Sequence, residues 1–166
     1  ILLLIISANC FGQINQLEFI ENKGQWSNNI VYQAKIPAGY LYLEQNELTY
    51  QFYDEQDMAR LHELHHNTIQ KPKPQDYLLN LHAFKVKFLG AKTEQISAEN
   101  PTSDYLNYFI GNDRSKWTSH VKKYQEITYQ KLYDNINLKF YLNKNQLKYD
   151  FIVSPGGDPS QIQWKY

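Results

Sequence analysis

The sequence of residues 136–166 is INLKFYLNKNQLKYDFIVSPGGDPSQIQWKY. Apolar and polar side chains alternate in three runs of this stretch, 136–142, 147–153 and 162–166. Such alternation places one row of side chains on a buried face of a sheet and the other row in water. Polar or Gly-Pro-rich breaks separate the runs, so the stretch predicts an antiparallel meander of three strands.

The same pattern recurs nearer the amino terminus. Residues 30–53 contain three more alternating runs separated by short polar turns, and further runs occur at 17–21, 82–88, 105–110 and 124–133. The sequence therefore predicts an all-β fold, an antiparallel β-sandwich-like domain with roughly ten strands.

One segment departs from the alternation. Met58, Leu61 and Leu64 follow helical spacing, Asp54 is a suitable N-cap, and Lys71-Pro72-Lys73-Pro74 would end a helix. We expect one short helical insertion at about residues 54–70.

Composition limits the classes of partner. The chain has 166 residues with 17 basic and 17 acidic side chains, so no bulk field attracts nucleic acid or an anionic membrane. Its 14 tyrosines suit half-buried sheet surfaces. We expect one domain with no nucleic-acid partner.

Residues 1–12 are an apolar block too short to span a bilayer, and they resemble the end of a secretory signal peptide cleaved after Gly12. A buried N-terminal strand is the alternative, and a lipoprotein signal at Cys10 is a weaker one. Cleavage would leave a single domain at 13–166 without cysteine and without a membrane span. Tyr166 falls inside an alternating run, so we expect the natural domain to continue beyond it.

The sharpest local motif is His62-Glu63-Leu64-His65-His66, which satisfies the H-E-x-x-H pattern of zinc metallopeptidases. In that reading His62 and His66 hold the metal and Glu63 is the general base. Ile69 and Pro72 occupy the places of the Gly and His in the extended motif. We therefore prefer a solvated helix and keep the zinc site as an alternative.

Other catalytic signatures are weak. The chain has no G-x-S-x-G, and the glycines of 154–159 lack the Lys-Ser/Thr of a phosphate loop, so we expect no cofactor. His82 shares the face of Phe84 and is expected to be a core residue.

Outward-facing aromatic residues give the best binding hypothesis. Tyr40, Tyr42, Tyr53 and Tyr141 alternate away from the predicted core. Such rings stack on sugars or line a partner surface. The alternative is that both faces of the sheet are covered.

Three phrases together carry a family resemblance: FIENKGQW at 19–26, NYFIGND at 107–113 with Trp117, and LKYDFIVSPGGDPSQI at 147–162. With them the chain resembles the uncharacterised N-terminal β domain of exported Bacteroidota-type proteins. In that family the domain precedes SBBP-type β-propeller repeats, often with a C-terminal type IX secretion or gliding-motility sorting domain.

The resemblance implies an extracellular or cell-surface location and a non-catalytic, structural or adhesive role. It also implies that downstream propeller repeats of the same polypeptide are partners. A surface glycan or protein is a further possible partner, and a carbohydrate-binding module is the first alternative function. The family supplies no catalytic residues to carry over.

Overall fold

The computed structural model describes residues 18–66, 73, 77–143 and 146–166. Within these ranges the chain forms ten strands, one α-helix and two short 3-10 turns. The strands are β1 (Phe19–Glu21), β2 (Ile30–Ile36), β3 (Gly39–Glu44), β4 (Glu47–Tyr53), β5 (Leu81–Phe88), β6 (Gln95–Tyr108), β7 (Thr118–Tyr133), β8 (Ile136–Asn143), β9 (Gln146–Val153) and β10 (Trp164–Lys165), and the helix is α1 (Glu55–His66).

All ten strands join one antiparallel sheet in the order β10-β5-β4-β3-β2-β1-β7-β8-β9, with β6 paired to β7. The sheet divides at β7. β6 pairs along residues 118–130 of β7, whereas β1 pairs with 123–124 and β8 with 126–133. Because a strand has only two edges, β1 and β8 must follow one another along the edge opposite β6. The sheet therefore opens into two layers, a first layer of β1–β5 with β10 and a second layer of β8 and β9.

The two halves of β7 turn opposite faces to the same core. Tyr124 lies opposite Phe19 of β1, and Ile127 lies opposite Phe140 of β8. All four side chains belong to or pack against one apolar cluster. Residues 124 and 127 project from opposite sides of a strand, so β7 passes from one layer into the other. The sheet thus curls into a half-barrel, and the predicted all-β fold with a short helical insertion is confirmed.

A single core fills the space between the layers. Its residues come from strands of both layers and from β7, and the largest of its fully buried side chains are Phe19, Leu41, Leu43, Ile127, Tyr129, Leu132, Ile136, Leu138 and Phe140. Tyr129 is fully buried, and its hydroxyl donates to the backbone oxygen of Glu44 at 2.8 Å. That bond satisfies the one polar atom of a buried tyrosine ring and links β7 to β3.

The predicted C-terminal meander is only partly correct. β8 and β9 pair as expected, but β10 pairs with β5 across the opening and not with β9. The backbone oxygen of Gln163 accepts from the Tyr133 hydroxyl at 2.9 Å and from the Leu89 amide at 2.8 Å. These bonds fix the start of β10 beside β5. The connection of residues 154–163 between β9 and β10 is long enough to cross between the layers, which alternation alone does not reveal.

The helical insertion begins as predicted. The Asp54 carboxylate accepts from the amides of Gln56 at 2.9 Å and Asp57 at 3.1 Å, which is N-capping geometry. Residues 67–70 of the predicted insertion, and the predicted signal remnant at 1–12, lie outside the described residues. No helix in the described part of the chain has the length and apolar character needed to cross a membrane.

Candidate functional site

Three of the four predicted tyrosines meet on the outer face of the first layer. Tyr40 and Tyr42 are two residues apart on β3, and Tyr53 ends β4. The ring centroid of Tyr40 is 6.2 Å from that of Tyr42 and 5.9 Å from that of Tyr53, the second pair in an edge-to-face arrangement. We call these three residues the tyrosine cluster. Aromatic pairs at such distances attract each other beyond simple burial, so the cluster is a preformed surface.

A close backbone approach holds the cluster together. Gly39 lies opposite Phe52, and a Cβ atom at this position would stand 1.9 Å from the backbone oxygen of Gln51. The amide of Tyr53 donates to the oxygen of Ala38 at 2.8 Å. Only glycine fits at position 39, and its absence of a side chain lets Tyr40 and Tyr53 approach.

The helix α1 forms one wall of a cleft beside the cluster. Tyr40 and Tyr53 line this cleft of about 400 Å³ together with Lys35, Glu55 and Met58. Lys35, Glu55 and Met58 are exposed. We call this space the tyrosine cleft. Aromatic faces beside one cationic and one anionic side chain can stack on a sugar ring and hydrogen-bond its hydroxyls.

A carboxylate anchors α1 in this position. Asp57 accepts from the backbone amide of Asn80 at 2.7 Å and from its side-chain amide at 2.8 Å. Arg60 donates to Asp57 at 2.8 Å and to the oxygen of Leu78 at 2.6 Å. The hydrogen bond from the backbone amide of Asn80 is the main reason that the pKa of Asp57 is lowered. The helix is therefore tied to the segment that leads into β5.

Burial also affects the phenols. Burial raises the pKa of Tyr53, and the neighbouring Tyr40 and Tyr42 add to the effect. The pKa of Tyr108 is raised by burial and then by Tyr40, and Trp26 packs edge-to-face on Tyr108 at 5.7 Å. Tyr108 and Trp26 thus extend the aromatic surface next to the cluster, and both tyrosines stay protonated hydrogen-bond donors at neutral pH.

The fourth predicted tyrosine lies apart from the other three. Tyr141 is on β8 in the second layer, opposite Lys148 and Glu126. A hydrogen bond with Asp150 raises its pKa. It belongs to a cross-strand polar pair and not to the cleft.

The histidines have different outcomes. His62 and Glu63 are exposed on α1, and the side chain of His66 lies outside the described part of the structure. Within the described ranges no three His, Cys, Asp or Glu side chains converge in a way suited to a metal ion. The zinc-peptidase alternative stays a prediction, which zinc analysis and proteolysis assays of His62→Ala and Glu63→Ala would test. His82 was expected in the core but is exposed, because the end of β5 extends past the covered part of the sheet.

The strongest charge network surrounds Glu44. This carboxylate is 5% exposed and accepts from the Thr49 hydroxyl at 2.5 Å, from the Asn29 side-chain amide and from the Lys85 amine at 3.2 Å. Burial works to raise the pKa of Glu44, but the hydrogen bonds from Thr49, Asn29 and Lys85 together lower it. Glu44 is held charged and locks β3 to β4 and β5.

A second such network contains Lys123, whose side chain is 9% exposed between Glu18 and Asp104, each at 2.6 Å. Burial works to lower the pKa of Lys123, but the hydrogen bonds that it donates to Asp104 and Glu18 raise the pKa overall. Both networks favour the charged forms that are ordinary at neutral pH, as structural ion pairs do.

The sequence reading missed an apolar groove between the layers. It has a volume of about 240 Å³, and the side chains that line it are aromatic or aliphatic, among them Tyr50, Phe84, Phe140, Tyr149, Phe151 and Trp164. We call it the interlayer groove. Tyr149 belongs to the apolar row of the alternating run 147–153, which was predicted to be buried, yet Tyr149 is 53% exposed. The available signal was the concentration of large aromatic residues in the last two strands, more than a closed core needs.

Comparison with known proteins identifies a family for this chain. Searches of curated proteins and of solved structures find no match for this chain. A family described only as a domain of unknown function, DUF7948, matches residues 19–166, which cover all ten strands. The chain therefore belongs to the DUF7948 family.

Proposed function

We propose that the chain is a non-catalytic module of an extracellular or cell-surface protein, with a structural or adhesive role. The observation that carries this proposal is that the charged side chains with shifted pKa values are engaged in hydrogen bonds and ion pairs within the fold. The carboxylates of Glu44, Asp57 and Asp104 have lowered pKa values, and the amines of Lys85 and Lys123 have raised ones. General acid–base catalysis at neutral pH is most efficient with a pKa near neutrality, so these five paired groups are better suited to holding the fold together.

The finer setting of the module follows from the resemblance. We propose export by a signal peptide, an origin in a Bacteroidota-type protein, and downstream SBBP-type propeller repeats with a type IX secretion or gliding-motility sorting domain. Membership of the DUF7948 family supports the domain assignment. The phrases FIENKGQW and SPGGDPSQI support the rest by resemblance.

The test uses the natural protein on its own cells. An antibody against residues 18–166 should label intact cells without permeabilisation. Deleting this domain in frame should reduce attachment of the cells to a surface while the rest of the protein is still displayed. Labelling that requires permeabilisation, or attachment unchanged by the deletion, would contradict the proposal.

The second candidate function is carbohydrate binding, which the tyrosine cleft favours. The ring centroids of Tyr40 and Tyr53 lie 5.9 Å apart in an edge-to-face pair, and Lys35 and Glu55 line the cleft beside them. On a glycan array we expect saturable binding that Tyr40→Ala and Tyr53→Ala abolish. Tyr141→Ala is the matched control, since it removes a predicted tyrosine from the other layer. Equal binding by all three variants would exclude the cleft.

A further inference from the structure

Lys35 stands directly opposite Tyr40 on the outer face of the first layer. These two residues are in register in the antiparallel pair of β2 and β3, and Tyr40 is in turn opposite Gln51 of β4. Directly opposed residues project from the same side of a sheet. Lys35 therefore extends over the same face as the ring of Tyr40, and both side chains line the tyrosine cleft.

The charge of Lys35 has no counterpart within the described ranges. No carboxylate oxygen of these residues lies within 4.0 Å of its amine. By contrast Lys85, Lys87 and Lys123 project from the same face, and each amine lies 3.2, 3.7 or 2.6 Å, respectively, from a glutamate oxygen. The fold thus neutralises these three lysines and leaves Lys35 exposed beside the tyrosine cluster.

The opposite end of the cleft is negative. Glu55 is the first residue of α1, two residues after Tyr53, and no basic nitrogen of the described chain lies within 4.0 Å of its carboxylate. β3 separates β2 from β4, and neighbouring strands are about 4.8 Å apart, so Lys35 and Tyr53 are about 10 Å apart across the sheet. The cleft therefore has a cation at one end, a carboxylate at the other and the Tyr40 ring between them.

A sugar ring with one anionic substituent matches this order of groups. The C–H face of a pyranose stacks on an aromatic ring, for which Tyr40 is placed. A carboxylate or sulfate on one edge of the sugar would accept charge-assisted hydrogen bonds from Lys35. Hydroxyls on the other edge would donate to Glu55, since an ionised carboxylate only accepts.

We propose that the tyrosine cleft binds a sugar residue that carries an anionic group, a uronic acid or a sulfated sugar, and that Lys35 selects for this group. The inference rests on the carbohydrate-binding candidate and adds the class of sugar. Tyr40 supplies the stacking surface, and Glu55 orients the ring and favours a neutral sugar as its neighbour in the oligosaccharide.

The two charges separate this ligand from others. A neutral sugar would leave the Lys35 amine with no partner but water. Nucleic acid would bring negative charge to both ends of the cleft, and Glu55 would repel it. A cationic ligand would be repelled by Lys35 in the same way.

The test is calorimetric titration of the whole chain with two matched pairs of oligosaccharides. The first pair is an oligomer in which glucuronic acid alternates with N-acetylglucosamine, and its methyl ester, which keeps every ring and removes the charge. The second pair is a galactose oligomer with and without sulfate. We expect at least one charged oligomer to bind about tenfold more tightly than its neutral partner at low salt, and this preference to shrink at high salt. The pair that shows it identifies the anion.

Two variants and one control locate the preference. Lys35→Gln should bind the charged and the neutral oligomer equally, whereas Tyr40→Ala should bind neither. Lys148→Gln is the matched control, because Lys148 is also exposed and directly opposite a tyrosine, Tyr141 of the second layer. It should keep the full preference for the charged oligomer.

The outcomes distinguish this inference from the candidate function on which it rests. If charged and neutral oligomers bind equally to the natural protein and Tyr40→Ala abolishes both, the cleft binds sugars without selecting for charge, and the inference is overturned. A preference that survives Lys35→Gln, or that Lys148→Gln also removes, overturns it too. If none of the four oligomers binds, the inference is overturned, and the glycan array alone decides the carbohydrate-binding candidate.

Discussion

At the scale of single residues, the buried carboxylate of Glu44 depends on its three donors. Removing the charge by Glu44→Gln should lower the free energy of unfolding by about 2 kcal/mol at pH 7, because hydrogen bonds to charged groups contribute most. The folded pKa lies below the ordinary value of 4.5, so the stabilisation is complete above that pH and is lost as the pH falls through and below it. Urea unfolding at pH 7 and pH 3.5 should show the variant and the natural protein converging in acid.

The matched control for Glu44 is Glu94→Gln. Glu94 pairs with Lys131 at 2.7 Å, but both side chains are at least 60% exposed, so we expect little change in stability at either pH. If Glu44→Gln and Glu94→Gln were equally stable at neutral pH, the network around Glu44 would not be a structural lock.

Gly39 supports a second prediction at this scale. Gly39→Ala should destabilise the fold by at least about 3 kcal/mol, because the new Cβ would collide with backbone and not with a movable side chain. Gly90→Ala is the control. Its φ of +71° is strained for alanine, but no atom lies within 4 Å, so about 1 kcal/mol is expected. Thermal unfolding of both variants checks this. If both lost a similar amount of stability, the backbone around Gly39 would have moved to make room for the new Cβ atom.

Alternation in the sequence predicted correctly which side of a strand a residue faces, but it did not predict whether that side is buried. Alternation placed Tyr40, Tyr42 and Tyr53 outside the core, and the strand register then brought them together. The same alternation assigned His82 and Tyr149 to a buried face, and both are exposed. A period of two fixes the side of a strand, whereas burial depends on the second layer, which is set by contacts distant in sequence.

At the scale of elements, α1 lies outside the core and is tied to the segment before β5 by Asp57. None of the side chains of α1 that the structure describes belongs to the core cluster, and Asp57 binds the backbone of Asn80. We expect Asp57→Ala to speed amide exchange in α1 by about tenfold while exchange in β7 and β8 stays unchanged, since the helix can open locally. Glu63→Ala, an exposed site on the same helix, is the control. Faster exchange throughout the sheet would show that α1 is part of the global folding unit.

The first part of β6, before the predicted run at 105–110, and the partner of β10 were not predicted from the sequence, for physical reasons. β6 runs through Pro101 and through Asn100 at a φ of +54°, residues typical of a loop. An edge strand accepts both, because one of its sides needs no ladder hydrogen bonds and bulges absorb the irregularity. β10 was predicted, but its partner was not, since strand pairing across a long connection leaves no local trace.

At the scale of the whole molecule, β7 makes the two layers a single folding unit. It gives Tyr124 to the core from one face and Ile127 from the other, so neither layer has a core of its own. Proteins with one shared core unfold cooperatively. Leu41 of β3 and Phe140 of β8 lie in different layers and are 0% and 1% exposed.

Leu41→Ala and Phe140→Ala should therefore each lower the free energy of unfolding by about 3 kcal/mol, through lost burial and the cavity left behind. Each should also shift one common transition, seen at the same urea concentration by circular dichroism and by tryptophan fluorescence. Trp26 reports on its contact with Tyr108 of β6, and Trp164 of the first layer reports on its contact with Phe151 of the second, with ring centroids 6.1 Å apart. Phe140→Ala could instead shift the fluorescence transition to lower urea and leave the circular dichroism transition where it is in the natural protein. That result would show that the two layers unfold separately, although β7 belongs to both.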